Sequence, residues 1–242
     1  MGLCKKKKSL SDEDFEKEYG RHWIWASIDP ESKLIINIFI GQRTLEDCRI
    51  FIGDLIERIC TKPLFTSDEL PHYQTVLLEH YTHLEEQPRT GKRGRPMQPK
   101  IVADAELKYA TVHKTRLNGK VVKVERNVIF GDPKEIEKII EESSVSKTIN
   151  TSFIERANLT LRNHNRKLTR KTLCFAKRKR SLEAQTSITV AYYNFSRPHR
   201  GLTRKGPNGA REKRTPAMAA NVIDRVWPIG EAIEYPLKSN ND

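Results

Sequence analysis

Asn150-Thr151-Ser152-Phe153-Ile154-Glu155-Arg156-Ala157-Asn158-Leu159-Thr160-Leu161-Arg162 is the stretch that sets the reading of this chain. Its pattern predicts a long, strongly basic helix from Asn150 onward with one carboxylate, Glu155, near its start. From Arg156 to Leu182 the basic residues are Arg156, Arg162, Arg166, Lys167, Arg170, Lys171, Lys177, Arg178, Lys179 and Arg180, with no Asp or Glu among them. Such a surface attracts a polyanion. Glu155 and Arg162 are seven positions apart, two helical turns, and so share a face. A glutamate beside phosphate-binding cations suits the holding of a divalent metal against nucleic acid. A solvated basic helix with one neutralising Glu accounts for the same residues.

The whole chain agrees with an anionic partner. Its 242 residues carry a formal net charge of +13 and a pI near 9.6, with the C-terminal half the more basic. That asymmetry favours nucleic acid over general solubility. The longest apolar run is Leu34 to Ile40, far short of a membrane span, and nothing resembles a signal peptide, so a cytoplasmic, nucleoid-associated protein with no membrane partner is expected. Met1-Gly2-Leu3-Cys4 followed by Lys5 to Lys8 imitates an acylated basic anchor, but Lys6 stands where myristoylation prefers Ser or Thr. Cys4, Cys48, Cys60 and Cys174 lack the close pairs of a zinc or redox motif and read as reduced thiols. His80 and His83 form His-x-x-His without a Cys pair at finger spacing, which favours a helix-surface role over metal ligation.

Outward from the basic helix, Trp23 to Ile28 and Lys33 to Ile40 read as strands joined by Asp29-Pro30-Glu31-Ser32, a turn sequence. Thr44 to Cys60 reads as a helix with Thr44 as N-cap and an apolar face of Leu45, Cys48, Ile52, Leu55, Ile56 and Ile59. Pro63 to Thr66 is a short apolar run, and a helix from Leu70 to Tyr81 follows, which stands Asp68 at the C-terminal edge of a strand, where ligands of open α/β sheets collect. The Pro-, Gly- and cation-rich stretch between Glu86 and Lys100, with Arg93 and Arg95, reads as a linker or a DNA-contacting arm. Tyr109 to Arg116 and Lys120 to Phe130 flank Asn118-Gly119, a strong hairpin signal. A helix from Pro133 to Glu142, a second helical stretch from Leu182 to about Tyr193, and a helix start at Thr215-Pro216 complete the pattern. Three stretches result: 1–85, 86–149 and 150–242.

Four blocks together resemble the insertion-sequence-one type of transposase, within the Asp-Asp-Glu transposases and retroviral-integrase-like enzymes. They are Trp23-Ile24-Trp25-Ala26-Ser27-Ile28-Asp29-Pro30, Phe65-Thr66-Ser67-Asp68-Glu69-Leu70-Pro71-His72-Tyr73, Asn150 to Arg156, and Tyr193-Asn194-Phe195-Ser196-Arg197-Pro198-His199. The resemblance implies an α/β fold: a ribonuclease-H-like mixed sheet flanked by helices, with a β-rich insertion before the glutamate-bearing helix. It implies catalytic carboxylates holding Mg²⁺ or Mn²⁺, double-stranded DNA (element ends and target) as partner, and a homo-oligomeric active complex.

In-line displacement at a phosphodiester needs an activated nucleophile and a stabilised leaving oxygen, which two metals about 3.5 to 4 Å apart supply together. The resemblance makes Asp68 and Glu155 the catalytic, metal-holding pair and puts Arg162 near the scissile phosphate, with Arg156, Arg166, Lys167, Arg170, Lys171, Arg93 and Arg95 as further DNA-binding cations. Local sequence alone offers Asp68 a competing role as N-cap of the next helix. Asp29 is the weaker candidate for the first aspartate, because a turn favours Asp for its geometry. The Gly2 to Lys8 segment resembles the one that follows the family's first aspartate, so that residue is expected upstream of Met1 and the N-terminal part is expected to be lost. An active transposase and a silent DNA-binding remnant that interferes with an intact one both follow from these residues, and an RNA-binding module fits them less well. His199 reads either as a contact to DNA or the catalytic pocket, or as part of a helix end locked by Pro198.

Overall fold

The computed structural model describes residues 22–85, 100–169, 173–174, 176, 178–206 and 209–238. In chain order, β1 (Trp23–Ile28) and β2 (Ile35–Gly41) precede α1 (Leu45–Arg58), β3 (Leu64–Ser67) and α2 (Pro71–His80). Next come β4 (Thr82–Glu85), β5 (Lys100–Ala103), β6 (Lys108–Leu117), β7 (Lys120–Phe130) and α3 (Pro133–Glu142). The remainder is helical apart from one small hairpin: α4 (Ser152–His164), α5 (Lys179–Ala191), β8 (Arg204–Lys205), β9 (Arg211–Glu212), α6 (Pro216–Ala219) and α7 (Ile229–Lys238). The chain divides into two compact units, one formed by the residues up to Arg43 together with those from Ser152, the other by Thr44–Thr151.

The first unit is built on the antiparallel β1–β2 pair. Asp29 makes its turn by accepting the backbone N–H of Glu31 (3.2 Å) and of Ser32 (2.9 Å), and it also accepts the Ser32 hydroxyl. Ile35 and Ile40 of β2 then enter a core with Leu161, Leu168, Ala176, Leu182 and Tyr193. Burying side chains of this size from five separate segments stabilises each by roughly 1.5–3 kcal/mol. α5 does not stop at Tyr193: Tyr192–Ser196 continues it as a π-helical turn, after which Arg197 leaves the helical path. The wide turn points the buried Asn194 at β2, where its amide accepts from Ile35 N–H (3.1 Å) and donates to Ile35 C=O (2.9 Å). Thr215 caps α6 by accepting from Met218 N–H (3.3 Å), and Trp227 stacks on Phe195 at 5.3 Å.

In the second unit, the Thr44 side chain caps α1 by accepting from Asp47 N–H, and Cys48, Phe51, Ile52 and Leu55 are buried. Burial drives the Cys48 thiol up to about 12, so it stays protonated. α1 packs on α2, and Arg49 forms a two-pronged bridge to Glu79 with both contacts at 2.8 Å. β3 runs parallel to β6, and β6 antiparallel to β7, in a mixed three-stranded sheet. Tyr109 to Val112 of β6 are all buried, whereas Thr115 to Val124 are exposed, so the β6–β7 hairpin continues past the core as an arm. Its turn needs left-handed backbone at both central residues, Asn118 (φ 51) and Gly119 (φ 79), which explains the Asn-Gly pair.

The α/β class holds, with a mixed sheet and helices, but the described strands form four sheets. The stretch expected as an insertion before the glutamate-bearing helix supplies β6, the partner of the strand that precedes Asp68. The sequence pattern does not announce β4 and β5, because each is four residues long and their pairing closes over residues 86–99, which lie outside the described residues together with Arg93 and Arg95. His80 and His83 do not share a helix surface: His80 ends α2, while His83 lies on β4.

Candidate nucleic-acid interface and its carboxylates

β3 pairs with β6 from Leu64↔Lys108 to Ser67↔Thr111, which leaves Asp68 just past the carboxyl end of the parallel pair. The side chain is exposed. It is not the helix cap that local sequence allows: the N-cap of α2 is Leu70, with Pro71 at the first helical position and no side-chain cap. Ser67 fixes the local backbone, its hydroxyl donating to the Asp68 carbonyl (2.6 Å) and hydrogen-bonding the Tyr109 phenol (2.7 Å). Burial pushes that phenol up to about 12, opposed by the Ser67 hydrogen bond and assisted by the nearby Asp68 charge. Beside it, Glu69 pairs with His113 at 2.5 Å, and Glu125 faces His113 across the β6–β7 ladder. The strand end is thus an acidic edge on a rigid phenol and hydroxyl support.

Glu155 lies in the first turn of α4 in the other unit, where the helix dipole favours an acid, and Arg162 and His164 lie in the last turn. Ala157 and Leu161 bury the inner face, and α4 packs on β1. Glu155 and Arg156 are exposed and Arg162 is half-buried, so the Glu155–Arg162 face turns away from the core. The helix is shorter than the charge pattern predicts. It ends at His164 because Asn165 leaves helical geometry, caps the following 3-10 turn by accepting from Lys167 N–H (3.0 Å), and donates to Thr186 (3.5 Å) while fully buried. Arg166 and Lys167 therefore sit on that short turn, and α5 starts at Lys179 rather than Leu182. Lys167 Nζ donates to the Ser181 hydroxyl (2.8 Å) and carbonyl (3.4 Å), tying the turn to α5. Arg170 and Lys171 lie outside the described residues.

Asp29 is a turn residue, its two carboxylate oxygens engaged by the chain that follows. The Tyr193-Asn194 block is likewise structural, because the Asn194 amide closes the start of β2. His199 is half-buried, its ring edge-on to Tyr193 at 4.5 Å, and Nε2 is buried without a hydrogen-bond partner. Burial, then the charges of Arg197 and Lys33, push its pKa down to about 4, so the imidazole is neutral near pH 7. His164 is lowered by burial and by Arg197, which contacts its Nε2. Sequence reasoning misses the cations from Arg200 to Lys213 as a group; two short basic runs bracketing a Gly-Pro-Asn-Gly turn are the signal that could have found them.

Among the described residues no three His, Cys, Asp or Glu side chains are grouped to hold a metal ion. Asp68 and Glu155 have the hard-oxygen chemistry that Mg²⁺ takes. Within each unit, the described residues stop short of a set of three such ligands.

An exposed acid in the first turn of a helix, with a half-buried arginine two turns further along the same face, suits contact with a polyanion. Residues 113–196, roughly a third of the chain, match the family model described as IS1 transposase, so that segment is similar to one of an IS1-type transposase. The match runs from His113 in β6 to the end of the π-helical turn and includes Glu155, Arg162 and Asn194. No curated protein and no solved structure matches the chain. No helix among the described residues is long and apolar enough to cross a membrane.

Proposed function

We propose that the chain is the DNA transposase of an insertion sequence, acting on element ends and target DNA as a homo-oligomer in the nucleoid-containing cytoplasm. The observation that carries this is the match over residues 113–196, because it contains the helix on which Glu155 and Arg162 share a face turned away from the buried Ala157 and Leu161. In this reading the fold is of the ribonuclease-H-like kind, and Asp68 and Glu155 are the carboxylates that would hold Mg²⁺ or Mn²⁺, which supplies Lewis-acid stabilisation of phosphoryl oxygens. Arg162 and Arg156 position the scissile strand, and Arg166 and Lys167 extend the phosphate track.

A second reading rests on Asp29. With its carboxylate engaged in the β1–β2 turn, Asp29 does not serve as a metal-holding acid, and in this reading the chain binds DNA while cutting it poorly. The test is duplex binding by anisotropy between about 50 and 200 mM salt, where several phosphate contacts weaken affinity by orders of magnitude, together with nicking of supercoiled plasmid in Mg²⁺ or Mn²⁺. Nicking abolished by either Asp68→Asn or Glu155→Gln, with binding retained, supports the catalytic assignment. Binding without nicking supports the second reading, and an affinity insensitive to salt overturns both.

A further inference from the structure

The β8–β9 hairpin makes no use of most of its charge. Arg204 pairs with Glu212 (2.6 Å), and Gly206 N–H donates to Ala210 C=O (2.8 Å), which closes the turn. The other cross-strand pair sets Lys205 directly opposite Arg211. Like charges facing each other across a ladder are destabilising, and a pair of two-residue strands has little else to hold it together. Lys213 follows β9 exposed, and Arg200 is exposed as well. Together these residues line a groove of about 660 Å³ that His199, with its unpartnered Nε2, also lines. Glu212 is the one acid from Arg200 to Lys213, and Arg204 already neutralises it.

Arg214 shows what a structural arginine looks like in the same segment. It is half-buried, its Nη2 donates to the Met218 carbonyl (2.6 Å), and its own carbonyl accepts from His199 N–H (2.9 Å). Arg200, Lys205, Arg211 and Lys213 instead hold exposed side chains around one concavity. A row of cations with a like-charge pair at its centre becomes favourable when an anion with repeated charges lies along it.

We propose that this groove is a docking track for the phosphate backbone of duplex DNA, separate from the Glu155–Arg162 face and outside the segment that matches the family. The proposal rests on the reading of the chain as a DNA-acting protein and adds a second contact surface to it. Backbone docking of this kind positions DNA without reading its sequence.

The experiment compares the full chain with the triple variant Lys205→Gln/Arg211→Gln/Lys213→Gln, using a fluorescent duplex and measuring affinity against salt. Losing three phosphate contacts lowers the slope of log affinity against log salt by about two to three, since each contact contributes roughly 0.9. The charge-conserving variant Lys205→Arg/Arg211→Lys should keep the wild-type slope, which separates lost charge from a disturbed hairpin. A triple variant that retains the wild-type slope overturns the groove and leaves the proposed function standing. A wild-type chain with no salt-dependent DNA binding overturns both, and a groove-dependent preference for an RNA duplex of equal length overturns the choice of DNA.

Discussion

Replacing Asn194 by Ala should loosen the first unit without touching any proposed contact to DNA. Asn194 is 5% exposed, and its amide serves both the N–H and the C=O of Ile35, 159 positions away in sequence. Truncation strands one buried donor and one buried acceptor at the start of β2, and each such group costs about 1–3 kcal/mol. Partial entry of water offsets some of this, so the expected loss is about 3 kcal/mol. With a urea dependence of about 2 kcal/mol per molar, the midpoint should fall by roughly 1.5 M. Tryptophan fluorescence is the assay, since Trp23, Trp25 and Trp227 all lie in the first unit. Asn194→Asp should cost at least as much at neutral pH, because a carboxylate accepts from Ile35 N–H but sets a negative charge against Ile35 C=O. A midpoint for Asn194→Ala within about 0.2 M of wild type, equivalent to less than about 0.5 kcal/mol, would refute the view that this amide pins the strand.

His199 gives a pH dependence with a definite sign. Its folded pKa of about 4 lies below the ordinary histidine value of about 6.5, so between those limits the unfolded chain binds more protons and stability falls as pH is lowered through the window. Discounted for partial exposure the loss is on the order of 1 kcal/mol, and urea midpoints at pH 7 and pH 4.5 for wild type and His199→Gln should show it shrinking in the variant. Gly119→Ala forces a side chain onto φ +79 and should cost about 1 kcal/mol, read as faster amide exchange along β6 and β7; unchanged protection would contradict the assigned turn. Asp29→Ala removes the acceptor of two backbone N–H groups and should destabilise the first unit by about 1–2 kcal/mol while leaving Mn²⁺ affinity unaltered. A fall in Mn²⁺ affinity in that variant would return Asp29 to the metal-binding residues.

Much of the local structure was legible because short-range chemistry dictates it. Thr44 and Asp47 define a helix start, Asn118-Gly119 a left-handed turn, and Pro133 to Glu142 a helix that matches its predicted bounds. The resemblance to the transposase family was legible too, since its blocks are residue patterns rather than shapes, and the match over residues 113–196 covers Asn150 to Arg156 and Tyr193 to Ser196 among them. The charge run from Arg156 to Leu182 was misleading as a guide to one continuous helix, because charge sets the partner while the helix end is set by Asn165, a buried amide whose partner Thr186 is 21 residues away. Likewise Tyr193-Asn194 reads in sequence as an unexplained motif, and only the approach of β2 makes it a backbone clasp. Composition decided that the chain is basic and suited to a polyanion. Which of its cations are committed to the fold, as Arg214 is, and which stand exposed around a groove, as Lys205 and Arg211 do, was decided by tertiary structure alone, because hydrogen-bond partners and burial arise from contacts between segments that sequence order leaves far apart.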